Sequence, residues 1–235
     1  MQNGTIILKI KQRLNKLDSS DYDNIETWQI IEAFNKGTVA WCRRQLHGMN
    51  TKQEGDEQSK RRIDDLQIIL TAVPVTLVKK DRFFTTTTGL PADYFEWKRV
   101  SANAESDCCD NKRAMVITLV EEANVEELLR DKMKQPSFDW GETFCTLEDG
   151  QLKIWTNNEF EVPTGELHHY RQPRRIEIAG ITDPYTLVTS VVDVESEFKD
   201  DIIELFVDEA AKIIAGDIES FPQVQTATQQ VETNN

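Results

Sequence analysis

Two adjacent histidines, His168 and His169, are the first residues of this chain that invite a chemical reading. A metal pair needs both rings to converge on one ion. The run LHHYR reads as a strand, where neighbours face opposite sides, so the two rings would not converge. Cys145 with a histidine has the residue types of a thiol nucleophile and its base. No third group stands at a spacing that would orient such a pair. The remaining cysteines are Cys42, Cys108 and Cys109. Adjacent Cys108 and Cys109 cannot chelate in the C-x-x-C manner. The acidic doublets Asp64 with Asp65, Glu121 with Glu122, and Asp200 with Asp201 are immediate neighbours. On a helix such neighbours diverge by about 100°, which suits solvated faces better than a catalytic dyad. Phosphate-loop spacings and the G-x-S-x-G elbow are missing. The chain therefore reads as non-enzymatic, with no catalytic residue, cofactor or metal site.

One basic cluster remains, Arg171, Arg174 and Arg175 beside His169 and Tyr170. Its readings, in order, are a solvated strand end, a contact with an acidic partner surface, and a nucleic-acid phosphate contact. The totals bear on that order. The net charge is -14, which disfavours adhesion to phosphates and anionic lipid. At 235 residues the chain is long enough for one domain or two small ones with a real core. No apolar h-region opens it, so reduced, structural thiols in a cytoplasm are the expectation. Leu66 to Val78 is the longest apolar run. It falls short of the roughly 20 residues of a membrane span and contains Pro74. No membrane association is expected.

The elements that position these groups follow from periodicity. The most prominent is Asp23 to Gly48. There Ile25, Trp28, Ile31, Phe34, Trp41, Cys42 and Leu46 recur at three and four. Asp23 and Glu26 have capping-box spacing, Arg43, Arg44 and His47 crowd the last turn, and Gly48 supplies a stop. Mid-helix Gly37 marks a kink or a close contact with another backbone. The two tryptophans of this helix, Trp28 and Trp41, read as core, or one of them faces another subunit. Thr5 to Leu17 is a basic amphipathic helix, with Ile7, Ile10, Leu14 and Leu17 in a stripe. It carries Lys9, Lys11, Arg13 and Lys16 with no acid. A third helix is predicted over Arg61 to Val73, ended by Pro74.

From Val75 the period changes to that of strands. Thr85 to Thr88 suits an edge strand or loop, and Ser106 to Lys112 a polar loop. Asn124 and Glu127 cap a short helix. Asp149-Gly150 joins two strands in the clearest hairpin signal. Phe160 with Val162, Leu167 to Arg171, and Arg175 to Ile178 read as further strands. Trp97, Trp140 and Trp155 look exposed. Ser196 opens a last helix. From Asp193 to Glu219, ten acids face two lysines. The expected fold is α+β, a helical bundle of N- and C-terminal helices with a mostly antiparallel β insertion. Its parts are an N-terminal helical part (1–74), a β-rich insertion (75–180), a C-terminal helical part packed on the first (181–220) and a polar tail (221–235). The basic first helix should lie near the acidic last one, in the same subunit or the next. Charge complementarity between the chain ends suits a head-to-tail contact that closes into a ring. The candidate interface residues are Lys9, Lys11, Arg13, Lys16, Trp41, Arg43, Arg44, Arg171, Arg174, Arg175, Asp200 and Asp201.

Several stretches carry a resemblance. ETWQIIEAFNKGTVAWCRRQLHG and EGDEQSKRRIDDLQ are similar to the N-terminal part of structural proteins of crAss-like tailed bacteriophages. LPADYFEW, QPSFDWGETFC, HHYRQPRRIEIAG, FKDDIIELFVDEAAKIIAGDIES and TQQVETNN continue the likeness across essentially the whole chain. The resemblance implies a virion protein of the neck, made in the bacterial host cytoplasm. Such a protein is a head-to-tail connector whose rings sit beneath the portal, usually with twelvefold symmetry. Its partners would be itself, the portal protein and other neck or tail ring proteins. DNA would pass through without specific binding, helped by an acidic lumen that repels it. Connectors of this kind commonly combine a helical bundle with a β insertion. The rival reading is a soluble adaptor or assembly-binding module outside the virion.

Overall fold

A computed structural model describes residues 1–15, 25–47, 65–106, 109–184, 187–217 and 228–229. The chain forms two compact units. One comprises Met1–Ile68 with Pro173–Asn235, the other Ile69–Gln172.

The second unit overturns the expected fold class. It is a closed seven-stranded barrel, in the order β1-β2-β6-β5-β4-β3-β7, and the protein is not a helical bundle with a β insertion. The strands are β1 (Leu70–Lys79), β2 (Phe83–Thr86), β3 (Tyr94–Ser106), β4 (Cys109–Leu119), β5 (Glu142–Glu148), β6 (Gln151–Trp155) and β7 (Thr164–Arg171). Six of the seven junctions are antiparallel. β4 and β5 run parallel, with Val116 to Leu119 opposite Glu142 to Cys145. A parallel pair needs a crossover, and this one carries the short helix α3 (Val125–Arg130). Phe144, Trp155, Val125 and Leu129 form a small core beneath it. The barrel interior is filled with side chains, among them Leu77, Phe84, Ile117, Leu152, Ile154, Phe160 and Leu167. A barrel this narrow is a packed core and leaves no channel.

The predicted third helix holds only in part: its first residues lie outside the described ones, Asp65 and Leu66 are helical and Gln67–Ile69 is a 3₁₀ turn, but Leu70 onward is β1. Pro74 was the misleading residue. It lies where β1 pairs with β7 alone, since the β2 ladder covers only Leu77 to Lys79. Proline is tolerated in such a one-sided stretch because its missing N–H leaves no ladder bond unmade. The expected loop at Ser106 to Lys112 is largely strand, as β3 ends at Ser106 and β4 starts at Cys109. Half of the threonine run is no edge: β2 lies between β1 and β6, with Thr85 and Thr86 buried, while Thr87 and Thr88 lie past the strand and are exposed, as a loop would have them. Phe160 and Val162 belong to no named strand but fill the core. Asn124 makes no side-chain cap bond. The hairpin at Asp149 and Gly150 forms as its sequence indicates, with φ of 51° and 66°, both positive as a type I′ turn requires.

The first unit holds α1 (Asn3–Asn15), α2 (Thr27–His47) and α4 (Asp200–Asp217), with α4 packed on both others. α1 buries Ile6, Ile10 and Leu14, at i, i+4 and i+8. Ile7, expected in that stripe, is only half-buried, and Leu17 lies outside the described residues. α2 buries Ile30, Phe34, Trp41 and Cys42 toward Phe206 and its neighbours. Gly37 is a close approach: a Cβ there would stand 3.3 Å from the Ala210 amide nitrogen and from Cβ of Glu209. Asp23 and Gly48, read as start and stop of this helix, lie outside the described residues. α4 starts at Asp200, one turn after Ser196, with Asp200 and Asp201 at the positive end of its dipole.

Candidate interaction surface

Between Pro173 and α4 the chain makes an arm that the periodicity reading did not find. Its base is fixed by asparagine side chains. The Ile176 amide donates to Asn35 Oδ1 at 2.8 Å, and Asn35 Nδ2 donates back to the Ile176 carbonyl at 3.2 Å. Asn3 Nδ2 donates to the carbonyls of Glu177 and Val194 at 2.9 and 3.0 Å, clamping both limbs. Above this clamp Glu177 and Val194 exchange amide-to-carbonyl bonds. Gly180 donates to Ser190, and Ser190 to Ile181, at 2.9 and 3.0 Å. The hydroxyls of Thr182 and Thr189 meet at 2.8 Å. Glu177 to Val194 is thus a hairpin joined by isolated bridges, where a strand over Arg175 to Ile178 was expected. The missed signal was the β-branched run TLVTSVVDV following the Asp183-Pro184 turn.

The arm displays apolar side chains to solvent. Leu187, Val188, Val191 and Val192 are 79%, 63%, 87% and 65% exposed. Leu187 has φ of +56°, a conformation uncommon for a branched residue. Its amide donates to the Asp183 carbonyl at 2.8 Å. Beside the arm lies a cavity of about 500 Å³, walled by Trp28, Ile31 and Asn35 of α2 and by Ile176, Val188 and Val191. Arg175 and Glu32 pair across its rim at 2.8 Å.

The charged candidates of the terminal helices meet inside one chain. Lys9 pairs with Glu204, and Arg13 with Glu204 and Asp208. Arg44 reaches Glu209 at 2.8 Å. The Asp208 and Glu209 side chains are only 6% and 8% exposed. Asp200 lies 2.7 Å from the Met1 amino group. So the basic first helix meets the acidic last one within the subunit. Trp41 is 3% exposed and packs edge-on against Phe206 and Phe198. Lys11 is half-buried on α1, while Arg43 on α2 and Asp201 on α4 are exposed. Lys16 lies outside the described residues. The arginine cluster is divided: Arg171 ends β7, while Arg174 and Arg175 open the arm segment. The Arg174 amide donates to Glu197 at 2.9 Å.

The chemical candidates lie in the barrel. His168 contacts the Ser101 hydroxyl at 3.0 Å and Glu166 at 3.4 Å. His169 is fully buried on the opposite face, its ring stacked on Tyr94 at 5.5 Å. The alternation keeps the two rings apart, as strand geometry demands. Cys145 is buried, and that burial pushes its thiol up to about 12. It is therefore protonated at neutral pH, unlike an activated nucleophile. Burial, with Glu96 and Cys145 nearby, likewise raises the Tyr94 hydroxyl to about 12. Cys42 on α2 is raised to about 12 by burial and by Glu197. Of the three tryptophans read as exposed, Trp140 is 64% exposed, while Trp155 is buried, its indole donating to Thr146 at 3.3 Å. Among the described residues no group of three His, Cys, Asp or Glu side chains is placed to hold a metal, and no helix is long and apolar enough to cross a membrane.

In comparisons with known proteins, no family model matches the chain and no curated protein aligns with it significantly.

Proposed function

We propose that this protein is a non-enzymatic structural subunit of a bacteriophage head-to-tail connector, a homo-oligomeric neck ring beneath the portal. The observation that carries the reading is the arm. Four apolar side chains within six residues stand in solvent on one limb of the hairpin. A monomer has no use for such surface, whereas an assembling subunit covers it. Charge supports the same reading. Lys9, Arg13 and Arg44 are neutralised within the chain, so most of the -14 balance is left to the outer surface. A ring with that surface repels DNA and lets it slide. The resemblance to crAss-like phage structural proteins supplies the setting: portal above, tail proteins below, location in the virion.

The test is the mass of the purified protein in solution by light scattering, at low and high salt, with and without portal protein. Rings, formed alone or on the portal, are expected. A chain that stays monomeric with portal present and is missing from purified virions would instead be an adaptor outside the particle.

A further inference from the structure

The limb of the arm from Leu187 to Val194 is bonded along one edge alone. Ser190 and Val194 turn their amides and carbonyls toward Glu177, Gly180 and Ile181, and the Val188 carbonyl accepts from the Asp183 amide. Thr189 stands opposite Thr182 as a bridge pair without backbone bonds of its own, which turns its amide and carbonyl to the other edge. Among the described residues the amides and carbonyls of Thr189 and Val191 have no hydrogen-bond partner. An exposed, β-branched edge of this kind is a template for one more strand.

The cavity borders the same limb, from Val188 to Val191, with Trp28, Ile31 and Ile181 among its apolar walls. Its charge is lopsided. Among the described lining residues the acids are Glu32, Glu177 and Asp183 and the cation is Arg175, which is already paired with Glu32 at 2.8 Å. Three carboxylates against one guanidinium leave a surplus of two negative charges beside an apolar hollow.

We infer that the arm binds an extended basic segment of another protein as an added strand. The segment's backbone pairs with Thr189 and Val191, and one of its arginine or lysine side chains enters the cavity. Both residue types carry a cation on a long apolar stem, which suits a hollow with apolar walls and acids. The stem lies against Ile31 and Ile181, and the charged head meets Glu177 and Asp183. Backbone pairing supplies affinity in this mode, and the pocket beside the edge supplies specificity. The added strand also covers Val191 and Val192, which are 87% and 65% exposed. This rests on the reading of the arm as an assembly surface and names the chemistry of what covers it. A second arm does not fit the same edge. From Glu177 to Glu197 the arm contains five acids and no base, so two arms side by side set like charges together.

The experiment titrates the full chain with a capped octapeptide of alternating valine and arginine, followed by calorimetry and by amide resonances. Binding should shift the Thr189 and Val191 amides and weaken with salt. The valine and glutamate counterpart should bind about tenfold more weakly or worse, a loss of one affinity decade. The valine and arginine peptide methylated on every backbone amide keeps its charge but cannot pair as a strand, and should not bind. Glu177→Lys should lower affinity for the unmethylated peptide by about tenfold while leaving the melting profile unchanged, since the Glu177 backbone and not its side chain forms the clamp. A methylated peptide that binds as well as the unmethylated one overturns strand addition, and equal binding of the glutamate peptide overturns the basic occupant. No binding of any peptide, in a chain that still forms rings alone or on portal, overturns this contact and leaves the ring reading standing. Strand binding by a chain that never assembles with portal upholds the contact and overturns the ring.

Discussion

Arg13 on α1 holds the carboxylate of Asp208 on α4, a side chain only 6% exposed, and reaches Glu204 one turn earlier at 3.0 Å. This relationship decides what a charge change on the first helix will do. The basic stripe of α1 is part of how the subunit folds. Arg13→Ala takes the guanidinium away from a buried carboxylate, a loss of about 3–5 kcal/mol. Arg13→Glu, with a third acid at the same place, should unfold the helical unit outright. Replacing Arg13 and Asp208 together by Met and Leu removes both charges and should return most of the loss. Urea unfolding of the single and double variants measures it. An Arg13→Ala chain as stable as wild type would mean that Asp208 is solvated in solution.

Trp41 touches two phenylalanines of the same chain, with ring centroids 5.3 Å from Phe206 and 6.4 Å from Phe198, both edge-on. Trp41→Ala should therefore cost about 3–5 kcal/mol through lost contacts and a residual cavity. The effect should be seen in the melting of the dilute monomer. A variant that melts like wild type yet fails to assemble would move Trp41 to an interface.

These two residues also show how far the sequence could be read. The 3.6-residue period placed Trp41 and Phe34 on one face, and Gly37 was legible as a close approach because a glycine inside a helix needs a reason. The local chemistry of Asp149-Gly150 identified its hairpin for the same reason: positive φ leaves few residue choices. Closure of the sheet was not legible. Which strands pair depends on contacts far apart in the chain, such as Thr71 with His169, and no short-range pattern encodes them. Pro74 reads as a helix stop because proline is excluded from helix interiors and from two-sided ladders; its place in a one-sided stretch of β1 follows from the topology alone. The arm was missed because its two limbs are joined by bridges and asparagine clamps, not by a regular ladder.

The buried thiols set a pH dependence. Cys145 and Cys42 are raised from 9.0 to about 12 in the fold, in each case first by burial. The folded state thus prefers the protonated thiol more than the unfolded chain does. The linked stability is whole below pH 9 and is lost as pH rises from 9 toward 12. Unfolding free energy should fall across that window, and less steeply in a Cys42→Ala, Cys145→Ala chain once its own offset at pH 7 is subtracted. At neutral pH both native thiols should resist a thiol-exchange dye until denaturant is added. Rapid labelling of Cys145 in the folded protein would show that it is accessible and ionised.

His169 presents the opposite case, a buried polar ring with no compensation. Neither ring nitrogen has a hydrogen-bond partner among the described residues, and the nearest carboxylate oxygen, on Asp93, is 3.7 Å from Nε2. A buried polar group left unpaired costs about 1–3 kcal/mol, and the stacking on Tyr94 does not return it. His169→Phe keeps an aromatic ring against Tyr94 and removes the two orphan nitrogens. It should stabilise the barrel by about 1 kcal/mol at pH 7, seen as a higher urea midpoint at unchanged slope. His169→Ala, which also loses the ring, should destabilise it. A loss of stability in His169→Phe comparable to that in His169→Ala would show that the imidazole nitrogens are bonded in solution, by water or by Asp93, and that the ring is held there for its polarity.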